Sequence, residues 1–467
     1  MRAAVLVALV SLVVVPRALG GGPSLLIGAT EDATKSTTMA VAKAQMDLLA
    51  AAGFRADRIT MEWSPGETAL PASGRQVLEN VAAAAKLDAV TLVCVVMNHG
   101  SATTPLSPTD QADFAQWAAS IAAAIPSIRI FVVGNEPNTN RYWLPQFNAD
   151  GSDAAAPAYE SLLAQTYDAL HAAAPGVTVL GGALDPRGGD NPAGARPTHS
   201  PTVFIHDLGE AWRASGRTTP IMDGFDHHPY EDNSSVAPAA GTHPNSTTIA
   251  LADYDKLVAS LGEAFGDAGY SLPIWYDEFG VETQIPAAEA SHYTGTEPAT
   301  VHPVDEATQA QYYRQAIQLA FCQPNVQAIM LFHSVDEQAL SGWQSGLYYA
   351  GTTTAKASLA ATRLAMEESR RGVVAHCDGL QLPVTPRLAQ TANRLTLTCT
   401  LDCAYTAKLY RGTRLVWGVR ARATGGVPKL LQPVVPSTAG RYRVHLTGVN
   451  PVNPAPVVSR WVNVRRG

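Results

Sequence analysis

Cysteine and charge are both scarce in this chain. Five cysteines in 467 residues are too few for a fold built on disulfides, so any bridges are accessory to a hydrophobic core. Cys399 and Cys403 lie close together and form one candidate pair, Cys322 and Cys377 form a second, and Cys94, inside an apolar run, reads as a buried free thiol. No His/Cys cluster has the spacing of a zinc site. The turn expected after the first strand, Ala29-Thr30-Glu31-Asp32, lacks the glycines that cradle a dinucleotide phosphate, so neither a metal nor an organic cofactor is expected. Past the N-terminus no apolar run is long enough to span a bilayer; the run from Val81 to Met97 is broken by Lys86 and Asp88. Only 16% of residues are charged and 46% are hydrophobic, which excludes global disorder and permits a large core.

What charge there is divides unevenly. Residues 1–383 hold 20 basic and 39 acidic side chains, a net of −19, whereas residues 384–467 hold 13 basic ones against Asp402 alone, a net of +12. So abrupt a change of sign marks a domain boundary. At the other end, Arg2 followed by the apolar stretch Ala3 to Val15 and the breakers and small residues of Pro16 to Gly22 has the form of a secretory signal peptide, with a membrane anchor as the alternative. The expected organisation is a signal peptide over 1–22, a main domain over 23–377 and a basic module over 378–467, in a secreted, extracellular protein without a membrane span once the signal is cleaved.

From residue 24 short apolar runs alternate with longer amphipathic ones. Strands are expected at Ser24–Gly28, Arg58–Trp63, Val90–Met97, Ile128–Gly134, Val177–Gly181, Asp223–His227, Pro273–Asp277 and Ala328–Phe332, with helical patterns between them. The strand segments are rich in Val, Ile and Leu, as strands covered on both faces are. About eight strand–helix repeats without a phosphate loop favour a (β/α)8 TIM barrel over an open, doubly wound sheet. After Cys377 the period changes to two, at Leu395–Thr400, Tyr405–Tyr410, Leu415–Val419, Arg441–Leu446 and Val457–Val464. The expected fold class is therefore α/β: a (β/α)8 TIM barrel followed by a small all-β immunoglobulin/fibronectin-like sandwich domain.

In such a barrel function sits at the C-terminal ends of the strands. Three segments there are rich in polar groups: Gly134-Asn135-Glu136-Pro137-Asn138 after strand four, His227-His228-Pro229-Tyr230 after strand six, and Tyr276-Asp277-Glu278-Phe279-Gly280 at strand seven. Two carboxyls at one barrel mouth suit cleavage of a glycosidic bond, one giving a proton to the leaving oxygen and one attacking the anomeric carbon. Glu136 and Glu278 are the leading pair. Asp277 and Glu282 are rivals to Glu278; strand alternation turns Asp277 away if Glu278 points inward. Trp63, Trp143 and Trp343 follow strands two, four and eight, and each is a candidate sugar platform, core packing being the alternative.

Asn135-Glu136-Pro137, His228-Pro229-Tyr230, Glu278-Phe279-Gly280 and Arg58 together resemble the clan A glycoside hydrolases, families 5 and 39 in particular, over roughly Ser24 to Met366. The resemblance implies Glu136 as acid/base, Glu278 as nucleophile, Asn135 on the sugar 2-hydroxyl, Tyr230 hydrogen-bonded to the nucleophile and Arg58 beneath it. His99, His228 and the three tryptophans complete the expected substrate-binding set. Two segments depart from family 5: Phe332-His333-Ser334 stands where many members carry a tryptophan, and strand three ends in Asn98-His99. The activity so implied is retaining hydrolysis of β-glycosidic bonds in an oligo- or polysaccharide by double displacement. The alternatives are transglycosylation with the same residues and a non-catalytic glycan-binding or cell-wall protein on a degenerate barrel. The expected partner is a carbohydrate. The basic module either carries solubilising charge, docks on the acidic barrel, or meets an anionic wall polymer or glycan; no nucleic-acid motif is present.

Overall fold

The computed structural model describes residues 21–372, 386–391, 394–399, 403–424, 427–431, 439–447 and 458–464. The first twenty residues of the expected signal peptide, and Cys377 of the expected Cys322–Cys377 pair, lie outside this set.

Eight strands form a closed parallel barrel: β1 (Leu26–Thr30), β2 (Ala56–Trp63), β3 (Thr91–Asn98), β4 (Ile130–Val133), β5 (Thr178–Leu184), β6 (Gly224–His227), β7 (Ile274–Phe279) and β8 (Val326–Phe332). Closure is made by β1 against β8, with Leu26 to Thr30 in register with Ala328 to Phe332. The helices between them are α1 (Met39–Ala52), α2 (Ala72–Leu87), α3 (Pro108–Ala124), α4 (Ala155–Ala173), α5 (Pro201–Ala214), α6 (Tyr254–Phe265), α7 (Glu306–Cys322) and α8 (Ser358–Arg371). Among the described residues no helix is long and apolar enough to cross a membrane.

Strand alternation divides the apolar residues between two cores. On β3, Val93, Val95 and Met97 join Ala56, Val132, Leu180, Trp275 and Met330 inside the barrel, whereas Cys94 and Val96 pack outward with the helices. Cys94 is a buried free thiol, and burial pushes its ionisation up to about 12. Local signals set the helix ends. Ser107 and Asp305 accept hydrogen bonds from the backbone N–H groups of Asp110 and Thr308 and so cap α3 and α7. Gly53, at φ +106°, closes α1 in the left-handed region that glycine occupies without steric cost.

Beyond the barrel come β9 (Pro386–Thr391), β10 (Arg394–Cys399), β11 (Cys403–Arg411), β12 (Arg414–Ala423), β13 (Lys429–Leu430), β14 (Gly440–Thr447) and β15 (Val458–Val464). They form two antiparallel sheets, ordered β13-β10-β9 and β12-β11-β14-β15. The fold is thus a TIM barrel followed by a β-sandwich. A disulfide joins Cys399 at the end of β10 to Cys403 at the start of β11. β9 and β13 were not expected from the sequence. β13 is two residues long, and β9 begins at Pro386, which cannot donate to a ladder.

Candidate active site

The C-terminal ends of β4, β6 and β7 bring Glu136, His228 and Glu278 together. One carboxylate oxygen from each glutamate and one ring nitrogen of His228 all lie within 4.8 Å of one another. The two glutamate side chains keep 14% and 11% of their surface exposed, while His228 keeps none. A molecule in the barrel mouth therefore reaches the carboxylates and not the imidazole.

The backbone aims Glu136. Gly134 turns the chain at φ +83°, and Glu136 itself sits at φ +41°, in a left-handed conformation that costs a non-glycine residue roughly 1 kcal/mol or more. Two hydrogen bonds hold it there: its N–H donates to the carbonyl of Ala183 at 2.8 Å, and the N–H of Thr139 donates to its carbonyl at 2.9 Å.

Glu278 is held from three sides. The Tyr230 hydroxyl donates to its Oε2 at 3.0 Å. Arg58 Nη2 pairs with its Oε1 at 3.0 Å. Nδ1 of His228 lies 3.6 Å from its Oε2 and 3.1 Å from Oε1 of Glu136. Arg58 also donates from Nη2 to Oδ1 of Asn135 at 2.8 Å, which fixes that amide beside Glu136.

Asp277 departs from the expected alternation. The register of β7 against β8 shifts between Tyr276 and Phe279, and such an irregularity lets successive side chains turn to one side. Asp277 is fully buried, with Oδ2 3.0 Å from Arg58 Nε and Oδ1 2.8 Å from His228 Nε2. Burial opposes its ionisation, but the Arg58 and His228 charges prevail and hold its carboxyl well below the usual range. Burial likewise opposes a charge on His228, and the carboxylates of Glu278 and Asp277 more than offset it, raising the imidazole well above its ordinary value. Beside them Asp226 is buried too, its Oδ1 accepting from the backbone of His227 and Asp277. Burial, together with the negative charge of Asp277, pushes Asp226 well above the carboxylate range.

This difference between the two aspartates has a measurable consequence. Asp226→Asn keeps the shape of a side chain whose charged form burial and Asp277 both disfavour, and is expected to change stability by less than about 1 kcal/mol. Asp277→Asn strips a counter-charge from buried Arg58 and His228 and is expected to cost about 3 kcal/mol. Urea unfolding of the two variants checks the order, and an equal or reversed effect contradicts the assignment. The pH dependence follows from the same directions. The depressed Asp277 contributes stability that is present above its unfolded value and lost as pH falls through its folded one. The raised His228 contributes stability that is present below its unfolded value and lost as pH rises through its folded one. Both contributions are complete between about pH 3.9 and 6.5.

Of the three tryptophans only Trp343 stands at this cluster. Its ring lies 4.9 Å from that of Tyr230 at 31° and 5.4 Å from that of Phe332, and it is half-buried. It supplies an aromatic face from the loop after β8, where strand eight itself ends in Phe332 and His333. Trp63 and Trp143 require a correction. Trp63 packs edge-on against Phe114 and donates to the Glu67 carbonyl, and Trp143 packs edge-on against Tyr159. Both are buried to 1% exposure or less, and a ring with no open face cannot stack on a sugar. His99 is also placed apart: its side chain is 69% exposed and pairs with Glu62 at 2.7 Å on the rim. Glu282, the other rival to Glu278, accepts from the backbone of Gln344 and lines a cavity of about 220 Å³ together with Trp343 and Tyr230.

No protein-family model and no curated protein matches the sequence. Solved structures do. A family 39 glycoside hydrolase from the gut symbiont Bacteroides cellulosilyticus WH2 superposes with a TM-score of 0.52 at 14% identity, covering 87% of this chain and 80% of that one. GH5_18 from Streptomyces cattleya, in complex with GlcNAc, gives 0.49 at 16% identity over 75% and 81% of the two chains. The chain has the fold of the clan A glycoside hydrolases. At these identities the likeness is one of fold, and the chemistry has to be read from the site.

Sequence reasoning passed over two members of the site, Asp226 within β6 and Asp185 after β5, and misplaced a third: Asp277, weighed only as a rival to Glu278, is turned toward Arg58 and His228 where the register of β7 is irregular. Asp185, at the end of β5, is pushed up to about 7 by burial and by the charge of Glu136; a carboxylate directly after a buried strand was the signal available for it. Tyr142 also feels the charges of Glu136 and Glu278, which together with burial raise its hydroxyl well above the ordinary range.

Proposed function

We propose that this protein is an exported retaining glycoside hydrolase that cleaves a β-glycosidic bond by double displacement. The observation that carries the reading is the short approach of Glu136 and Glu278, with carboxylate oxygens within 4.8 Å at the barrel mouth. Carboxyls about 5–5.5 Å apart suit a direct attack, whereas about 6.5–9.5 Å leaves room for an intervening water and gives inversion. The surroundings of Glu278 suit a nucleophile: Arg58 Nη2 at its Oε1 and the Tyr230 hydroxyl at its Oε2 fix its direction. Glu136 faces Glu278 across the mouth with its Oε1 held 3.1 Å from His228 Nδ1, the fixed direction that a group giving a proton to the leaving oxygen and later taking one from water requires.

In the first step Glu278 attacks the anomeric carbon, the bond to the leaving oxygen breaks, and Glu136 gives that oxygen its proton. In the second, Glu136 takes a proton from water, the water oxygen bonds to the anomeric carbon, and the ester to Glu278 breaks. Asn135, oriented by Arg58, is placed to bond a ring hydroxyl, and Trp343 to lie against a sugar face. The intact pair weighs against a glycan-binding protein on a degenerate barrel.

Screening the purified protein on aryl β-glycosides and on β-glucan, mannan, xylan and glucuronide substrates tests the reading. Hydrolysis of at least one β-linked substrate, absent from the Glu278→Gln protein, is expected. Binding without turnover across the whole panel contradicts it.

A further inference from the structure

Five of the 13 basic residues after the barrel lie on one face of one sheet. On β11, Cys403, Tyr405, Ala407 and Leu409 are buried, so the alternate positions Ala404, Thr406, Lys408 and Tyr410 face outward. Register carries that face across the sheet. On β12, Arg422 pairs with Ala404, Arg420 with Thr406 and Gly418 with Lys408. On β14, His445 pairs with Lys408 and Arg443 with Tyr410. Tyr442, Val444 and Leu446 are buried on the opposite side of β14, leaving Arg441 and Arg443 exposed. Lys408, Arg420, Arg422, Arg441 and Arg443 thus share one exposed surface, together with Tyr410, whose ring meets that of His445 at 5.1 Å.

The module that carries this surface is poor in acidic residues. Residues 384–467 contain the single carboxylate Asp402 against 13 basic side chains. A scatter of solubilising charge does not require one face of one sheet, and like charges on neighbouring strands destabilise the sheet that carries them. A polyanion laid across the strands removes that repulsion.

We infer that the outer face of the β12-β11-β14-β15 sheet binds a polyanionic glycan, a polysaccharide bearing carboxylates along its chain, and tethers the enzyme to it. Arginine predominates, and its planar fork takes a carboxylate through two parallel hydrogen bonds. A protein partner would need an apolar centre to dry out, and the apolar outward positions here, Ala404 at one end of β11 and Leu415 beside Tyr410 at the other, are separated by Lys408. Single-stranded nucleic acid would need several open aromatic platforms, and among the described side chains of this face the aromatic rings are Tyr410 and His445, packed against each other. The choice of a glycan among polyanions also rests on the carbohydrate reading of the barrel.

The test uses the full chain and measures binding and hydrolysis separately, so a failure of one reading is distinguishable from a failure of the other. Polygalacturonate is the probe. Neutral dextran, duplex DNA and phosphatidylserine vesicles are the comparisons, at salt from about 0.05 to 0.2 M, over which screening steepens. Expected is salt-dependent binding of polygalacturonate and none of dextran. The Arg420→Gln/Arg422→Gln protein should bind about tenfold more weakly, as the loss of two exposed charge contacts implies, and the Lys408→Glu/Arg443→Glu protein should lose binding. Both should keep wild-type thermal stability and unchanged turnover of a small aryl glycoside. Salt-independent or absent polygalacturonate binding overturns the inference, as do wild-type affinity in both variants or tighter binding of DNA or vesicles than of polygalacturonate.

Discussion

Replacing Glu278 by glutamine is expected to lower kcat by on the order of 10⁵- to 10⁶-fold, the scale on which removal of a nucleophile acts. The amide has the shape of the carboxylate and still accepts from the Tyr230 hydroxyl, but it cannot form an ester with the anomeric carbon. The fold should survive. Arg58 keeps its pair with Asp277 at 3.0 Å and its bond to Asn135 at 2.8 Å, so no charge is stranded in the core. Steady-state kinetics together with a thermal melt checks both halves. An active variant, or an inactive one that is also unfolded, removes the support this residue gives to the mechanism.

Glu136→Gln is expected to have the second largest effect, about 10²- to 10⁴-fold on kcat, the usual range for a general acid or base. Its pattern is more informative than its size. A leaving group such as nitrophenolate departs without a proton, so formation of the glycosyl-enzyme should be nearly spared on that substrate. Hydrolysis of the intermediate still needs the base, so the glycosyl-enzyme should accumulate and KM should fall with kcat. An alkyl or sugar leaving group should suffer in the first step as well. Rapid mixing on the two substrate types separates these outcomes; a burst on the aryl glycoside and none on the sugar is the expected pair. Equal losses on both would mean that Glu136 positions the substrate and gives no proton.

How much of this was legible beforehand depended on how local the signal was. The eight barrel strands could be read because each is a short Val/Ile/Leu run bounded by turn chemistry, and β3 and β7 are buried nearly end to end. Glu136 and Glu278 could be read because Asn135, Pro137, Phe279 and Gly280 stand beside them in sequence. Depth could not be read. Trp63 ends strand β2 and Trp143 follows β4, where a platform would stand, yet each packs against an aromatic ring from a helix, Phe114 of α3 and Tyr159 of α4 respectively. Alternation failed at one place, β7, where the shifted register turned Asp277 toward Arg58 and His228. A pattern of period two has no means of announcing its own interruption. The sorting of basic residues onto one sheet face was in the sequence as an alternation of arginine with apolar residues, but the pairing of β11 with both β12 and β14 was needed to assemble it.

The aspartates beneath the two glutamates change how the pair is understood. Arg58 and His228 bring two positive charges against the one negative charge of Asp277. Positive charge is therefore in excess beneath a mouth that exposes carboxylate edges, a fixed field that meets negative charge on the glutamates without the core having to reorganise.

The measurement that bears most directly on the account is the configuration of the first product released, followed by proton NMR before the anomers equilibrate. Double displacement through Glu278 predicts that a β-linked substrate yields the β-anomer first. Initial release of the α-anomer would contradict it, because it would require a water, and not Glu278, at the anomeric carbon.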